Sequence, residues 1–330
     1  MLILTKATLA MMIGFIFAIV TAVILIPILK RHKAGQSLSV YLEDRHSKKQ
    51  GTPTMGGFIF IIPTLGTLLL LYLTGRLELS YTFCIVMVTF IGYALIGFLD
   101  DYLIIKRHNN AGLSEKQKLF LQLVIAIIFF YLFMIAGNEP LIWIHTLHIK
   151  INIGWFYGLF ILFLLLASSN AVNLTDGLDG LAGGLSVIAF FTFGVISYHT
   201  GWLEGYQELG MFCFILVGAL LGFLLFNVSP AKVFMGDTGS LSLGATLGAL
   251  AILTRHELLL VLIGIVFVLE TASCILQRIY YKWTKKRLFP MAPIHHSFEK
   301  CGWDERDIVK LFWVIGLLGA MASIAFGIWM

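Results

Sequence analysis

Charge is what this sequence has least of. Asp, Glu, Lys and Arg make up only 12% of its 330 residues, against 59% hydrophobic residues and a mean hydropathy of +0.91, which excludes an ordinary soluble globular domain. Cysteine is scarce too. Cys84, Cys213, Cys274 and Cys301 show no CxxC spacing, so neither a disulfide framework nor a zinc site is expected, and the thiols read as packing residues. No internal repeat or low-complexity linker interrupts the chain, so residues 1–330 are expected to form a single integral-membrane domain. Acids are almost absent from the apolar runs. Glu270 lies inside one of them, and the sequence leaves its role open.

What is present is apolar sequence in runs of about 20 residues, the length that crosses a bilayer core. Ten such runs lie near residues 8–29, 55–74, 79–99, 118–136, 154–172, 181–198, 207–226, 239–254, 258–280 and 308–329. The expected fold is an all-α polytopic membrane protein of about ten transmembrane helices. The first run exceeds a signal-peptide core, and its basic residues follow it, so it reads as a retained span. Gly183, Gly184 and Gly194 in the sixth run, with Gly239, Gly244 and Gly248 in the eighth, predict close helix packing. Of the 23 Lys and Arg, all but Lys6, Arg76, Lys150 and Arg255 lie in loops after odd-numbered runs. The positive-inside rule makes those loops cytoplasmic and both termini external. The net charge of +5 is then explained by topology and by attraction to anionic lipid or phosphate, with no nucleic-acid partner. On the outer side, Ile142-Trp143-Ile144 and the alternating stretch Leu147 to Ile153 predict one short β-hairpin. His145 and His148 there read as surface residues.

The acids are concentrated where the apolar runs stop. All eight aspartates, at positions 44, 100, 101, 176, 179, 237, 304 and 307, fall on the side assigned to the cytoplasm from Lys and Arg alone. Asp100 and Asp101 close the third run. An ionised side chain in hydrocarbon costs several kcal/mol, so acids at such a border line water, bind a cation or cap a helix. Helix neighbours point about 100° apart, so the pair cannot both face one atom squarely, and one of them reads as structural. In Asn173-Leu174-Thr175-Asp176-Gly177-Leu178-Asp179-Gly180, Asp176 and Asp179 share a helix face, and the glycines admit a ligand to backbone amides. Capping at a Gly-rich turn is the plainer reading. In Phe234-Met235-Gly236-Asp237-Thr238-Gly239-Ser240, Asp237 suits either an N-cap or a Mg²⁺-phosphate cradle, because Mg²⁺ takes one or two carboxylates and completes its shell with water and phosphate. Lys48 and Lys49 precede the rigid turn Gly51-Thr52-Pro53-Thr54-Met55-Gly56-Gly57, where anion contact competes with a plain positive-inside role. Ser114 predicts the N-cap of the fourth helix. His295 and His296, between prolines and Phe298, titrate near neutrality and suit phosphate binding or proton relay.

In order and spacing, Asp100-Asp101, Asn173 to Gly180, Phe234 to Ser240 and His295-His296 resemble the motifs of the polyprenyl-phosphate N-acetylhexosamine-1-phosphate transferases. Gly51 to Gly57 and Met291 to Glu299 are similar to the phospho-N-acetylmuramoyl-pentapeptide transferase branch of that family, and the resemblance covers nearly the whole chain. It implies transfer of phospho-MurNAc-pentapeptide from UDP-MurNAc-pentapeptide to undecaprenyl phosphate. The products are lipid I and UMP, made for peptidoglycan at the cytoplasmic face of the bacterial inner membrane with Mg²⁺ as cofactor. By that resemblance Asp237 ligates Mg²⁺, and Asp100 and Asp101, with His295 and His296, serve catalysis. Phe234 stacks on uracil, and Lys49, Asn173 and Asp179 hold the nucleotide. Thr54, Lys116, Asp176 and Asn227 contribute to substrate or phosphate binding. Two positions depart from the family pattern. Ser297 stands where a third histidine is usual, and Ile104 where a lysine is common, so Lys106, Arg107 or Lys116 is expected to supply that charge. Homodimers are common among such enzymes, and no feature of this sequence speaks to one.

The chemistry can also be argued without the family. Phosphoryl transfer needs alignment and charge neutralisation more than covalent help, and a phosphate monoester with a second pKa near 6 is largely a dianion at neutral pH. That favours a single displacement, with a general base at Asp100 or an aspartyl-phosphate as alternatives. A sibling transferase using UDP-GlcNAc fits the same site. A secondary transporter fits the span count, but its sites lie near the bilayer midplane, whereas these carboxylates lie at span ends.

Overall fold

The computed structural model describes residues 2–31, 51–107, 112–144 and 149–328. Backbone polar groups in hydrocarbon find no water, so helices that pair them internally are the form such apolar runs adopt. In chain order the elements are α1 (Leu2–Arg31), α2 (Phe58–Leu73), α3 (Tyr81–Arg107), α4 (Glu115–Ile135), β1 (Leu141–Ile144), β2 (Ile149–Asn152), α5 (Phe156–Thr175), α6 (Leu181–His199), α7 (Tyr206–Asn227), α8 (Gly236–Leu253), α9 (Leu260–Ile263), α10 (Ile265–Thr284), α11 (Ile294–Lys300) and α12 (Glu305–Ile328).

Among the described residues seven helices are long and apolar enough to cross a membrane: α1, α3, α4, α5, α6, α7 and α12. The other three expected runs are also helical but differ. The α2 helix has only 16 residues, α8 carries Asp237 and several hydroxyls, and the ninth run breaks at Gly264 between α9 and α10. The α10 helix buries one stripe, Val266, Phe267, Glu270 and Ser273, and exposes its C-terminal half.

The centre of the molecule is α7 and α8. Every residue of α8 from Thr238 to Leu253 is buried. The α1 and α6 helices pack on α7, while α3 and α5 pack on α8. Small residues let these backbones touch, which matters where lipid offers no hydrophobic drive to association. A Cβ on Gly218 would lie 1.9 Å from the Met11 carbonyl oxygen, and one on Gly244 would lie 2.3 Å from that of Ser168. The close packing expected around the sixth and eighth runs is present.

At the end of the bundle away from the aspartates, β1 and β2 form the expected antiparallel hairpin, with Leu141 opposite Asn152 and Ile144 opposite Ile149. Arg255 holds its base, donating from Nη1 to the Leu141 carbonyl at 2.8 Å and from Nη2 to that of Glu139 at 2.7 Å. His145 and His148 lie outside the described residues. All four cysteines are free.

Candidate active site

The other end of the bundle gathers the polar residues: the C-terminal ends of α3, α5 and α7, and the N-terminal ends of α4, α8 and α12. The phase of α4 decides which lysine enters this region. Ser114 caps α4 in a capping box with Gln117, and from that start Lys118 faces α3 and α8. Its ammonium lies 3.2 Å from Asp100 Oδ2 and 2.8 Å from Asp237 Oδ2. Lys116, about 200° away round the helix, is exposed. Among the described residues, the ammonium beside Asp100 and Asp237 is that of Lys118.

Asp100 and Asp101 are both buried and face different partners. Asp100 Oδ1 accepts the Leu113 N–H at 2.7 Å. Asp101 turns to the start of α8, where Oδ1 accepts from the Asp237 amide at 3.2 Å. Its Oδ2 accepts from the Thr238 amide at 2.9 Å and the Thr238 hydroxyl at 2.6 Å. Asp101 thus caps α8 from a neighbouring helix. Asp237 is a first-turn residue of α8 instead of its cap, and its half-buried carboxylate is held from two sides. Asn173 Nδ2 donates to Asp237 Oδ1 at 2.8 Å and to Ser240 Oγ at 2.9 Å, while Lys118 holds Oδ2. Gly97 makes this closeness of α3 and α8 feasible, since a Cβ there would stand 2.1 Å from the Asp237 carbonyl oxygen.

Two turns frame the cluster. In one, the Phe234 amide donates to Pro53 O at 2.8 Å, Gly56 N to Phe234 O at 2.8 Å, and Gly57 N to Met235 O at 2.9 Å. Thr54 is buried there against Gly236, and the Phe234 ring is half-buried. The other turn joins α5 to α6. Asp176 is half-buried at its start. Asp179 Oδ2 accepts from Ala231 N at 3.0 Å, and the Asp179 amide donates to Glu305 Oε1 at 2.7 Å. Asn227 accepts from Gly180 N at 3.1 Å and donates to Val233 O at 3.0 Å. The polar atoms of Asp179 and Asn227 tie one turn to the other. Lys49 lies outside the described residues.

The histidines form the first turn of α11. His295 is fully buried with Nδ1 3.0 Å from Glu270 Oε2, and His296 Nδ1 is 2.5 Å from Glu299 Oε2. Ser297, at the place of the usual third histidine, contacts the Met291 carbonyl and accepts from the Met291 amide at 3.2 Å. It closes the turn that presents the pair. Lys118, Glu270 and Glu305 are the contacts that sequence reasoning missed. Glu270 stood out as an acid inside an apolar run, but nothing in the sequence pairs it with His295, or Lys118 with the aspartates.

The model of glycosyl transferase family 4 matches residues 55–255. The chain belongs to this family. The match runs through Asp100, Asp101, Asn173, Asp176, Asp179, Asn227, Phe234 and Asp237, and ends before the histidines. Relatives of nearly equal length are named phospho-N-acetylmuramoyl-pentapeptide-transferase. One, from Geobacillus thermodenitrificans (strain NG80-2), is 44% identical over 322 residues, covering 97% of this chain and 97% of the relative. One from Listeria monocytogenes serotype 4b (strain F2365) is 46% identical over 314 residues, 94% of this chain and 95% of the relative. A third, from Bacillus thuringiensis (strain Al Hakam), is 46% identical over 318 residues, 96% and 97%. This family member is an enzyme, a glycosyl-1-phosphate transferase seated in a membrane by several apolar helices.

Proposed function

We propose that the enzyme transfers phospho-MurNAc-pentapeptide from UDP-MurNAc-pentapeptide to undecaprenyl phosphate, forming lipid I and releasing UMP. The reaction takes place at the cytoplasmic face of the bacterial plasma membrane. Ten spans with both termini outside follow from the apolar runs and the Lys and Arg asymmetry. The observation that carries the reading is the convergence of Asp100, Asp237, Asn173 and Lys118 at one end of the bundle, a border that a lipid phosphate and a soluble diphosphate can both reach.

Among the described residues no group of three or more His, Cys, Asp or Glu is arranged to hold a metal. Mg²⁺ asks for less, one or two carboxylates with water and phosphate oxygens. Asp237 and Asp100 fit, because both offer hard oxygen donors that already face a single cationic atom, Lys118 Nζ. When bound there, Mg²⁺ supplies charge neutralisation for the diphosphate. The chain's own groups do the rest. Lys118 offsets negative charge between the two carboxylates, and Asn173 fixes the orientation of the Asp237 carboxylate. Asp101 holds the start of α8, and with it Asp237, against α3. The acceptor phosphate is already largely a dianion at neutral pH, so the attack proceeds as a single displacement without an obligatory base.

The test is UMP release by detergent-purified protein given both substrates and Mg²⁺, beside Asp237→Asn and a UDP-GlcNAc donor. The expected result is release that needs donor, acceptor and metal together and collapses in the variant. Release with UDP-GlcNAc alone would move the enzyme to another envelope glycan, and a phosphorylated protein trapped with donor alone would overturn the single displacement.

A further inference from the structure

Glu270 lies inside an apolar run, and its side chain and that of His295 are both at 0% exposure. A carboxyl group sealed in apolar surroundings is costly unless a polar group stands beside it. The His295 imidazole stands beside this one. Glu270 Oε2 lies 3.0 Å from His295 Nδ1, in ion-pair range though out of line for a hydrogen bond, and accepts the His295 backbone N–H at 3.4 Å. One carboxylate thus holds both the imidazole and the first turn of α11.

The opposite edge of that imidazole lies against the turn between α5 and α6. His295 Nε2 is buried without a hydrogen-bond partner and sits beneath Gly177, where a Cβ would come within 2.4 Å of it. Gly177 is itself exposed, so the turn is thin here, with imidazole below and solvent above. Asn227, Ala231 and Glu305 brace the far end of the turn, at Asp179 and Gly180. The Glu270–His295 pair lies under its near end.

We propose that Glu270 is a positioning residue. With His295 it forms a buried prop that sets the height of the Asp176–Gly180 turn and, through that turn, affinity for the nucleotide donor. The inference rests on the reading that this turn contacts a uridine nucleotide. His295, closed off from solvent, acts on the donor through the turn.

Glu270→Gln replaces the carboxyl group by an amide at constant size, and Gly177→Ala pushes on the prop from the other side while leaving Glu270 and His295 unchanged. In the full-length enzyme each variant is expected to raise the donor KM and the dissociation constant of UMP by about tenfold, with kcat within about threefold and the acceptor KM unchanged. The double variant is expected to be no worse than the worse single one, because both loosen one prop. A fall in kcat with donor KM and UMP affinity unchanged, no effect of Gly177→Ala, or additive effects in the double variant would each overturn the proposal. Wild-type protein that neither binds nor releases UMP would instead overturn the transferase reading beneath it.

Discussion

Asp100 and Asp101 are one position apart, and about 100° of helix rotation divides their work. Asp101 accepts three hydrogen bonds from the start of α8, whereas Asp100 shares Lys118 with Asp237. Unmet buried donors cost about 1–3 kcal/mol each. Asp101→Ala is therefore expected to destabilise the protein by about 2–4 kcal/mol and to lower its thermal midpoint in detergent clearly more than Asp100→Ala does. An equal midpoint for the two variants would refute this division. The lysines separate in the same way. Lys118→Ala is expected to lower kcat about a hundredfold, the usual scale for removing one preorganised charge partner, with Lys116→Ala close to wild type in the same UMP-release assay. That an Asp-Asp pair at a span end holds one structural member was legible from helix geometry alone. Which member it is depends on where α8 lies, and nothing local to residues 98–102 carries that information.

At the scale of elements, the most demanding feature is how closely α8 approaches its neighbours. Gly97 on α3 and Gly57 before α2 both meet its first turn, where a Cβ would stand 2.1 Å from Asp237 O and 2.5 Å from Gly239 N respectively. Backbone cannot swing aside as a side chain can, so overpacking here costs about 1–3 kcal/mol. Gly97→Ala is expected to lower the thermal midpoint and also activity, because it displaces Asp237. Gly66→Ala, at a glycine with open space around it, serves as the control and is expected to keep both. Glycine-rich runs announced such crossings in advance, as period-two alternation announced the hairpin. The break at Gly264 had no comparable warning. The run from 258 to 280 is continuous in hydropathy, and only packing of α9 and α10 against α12 shows where it divides.

The whole molecule separates two polar regions at opposite ends of one apolar bundle. At the hairpin end, Arg255, with its guanidinium carbon 5.0 Å from the centre of the Phe133 ring, stands beside Tyr157, whose hydroxyl donates to Glu257 Oε1 at 2.7 Å. Burial pushes the Glu257 carboxyl up to about 7 from 4.5, against the opposing pull of Tyr157 and Arg255. A carboxyl raised in the folded state takes up a proton on folding between those two values. Its contribution is complete below the unfolded value and is lost as pH rises through about 7, with a magnitude on the order of 3 kcal/mol. The thermal midpoint of the purified protein is therefore expected to fall between about pH 5 and about pH 8.5, and Glu257→Gln to flatten that fall. A Glu257→Gln profile parallel to wild type would exclude this group as the cause.

The sequence by itself determined the class of molecule, because apolar runs of bilayer length allow little besides helices. It also placed the chemistry-bearing residues at the ends of those runs, because charge is excluded from hydrocarbon. Only the tertiary structure decided that Lys118 and not Lys116 meets the aspartates, that Asp101 caps α8, and that Glu270 answers His295. Each of those pairs joins residues on different helices, and a contact across helices depends on their rotation and register, which are set by packing against every neighbour at once.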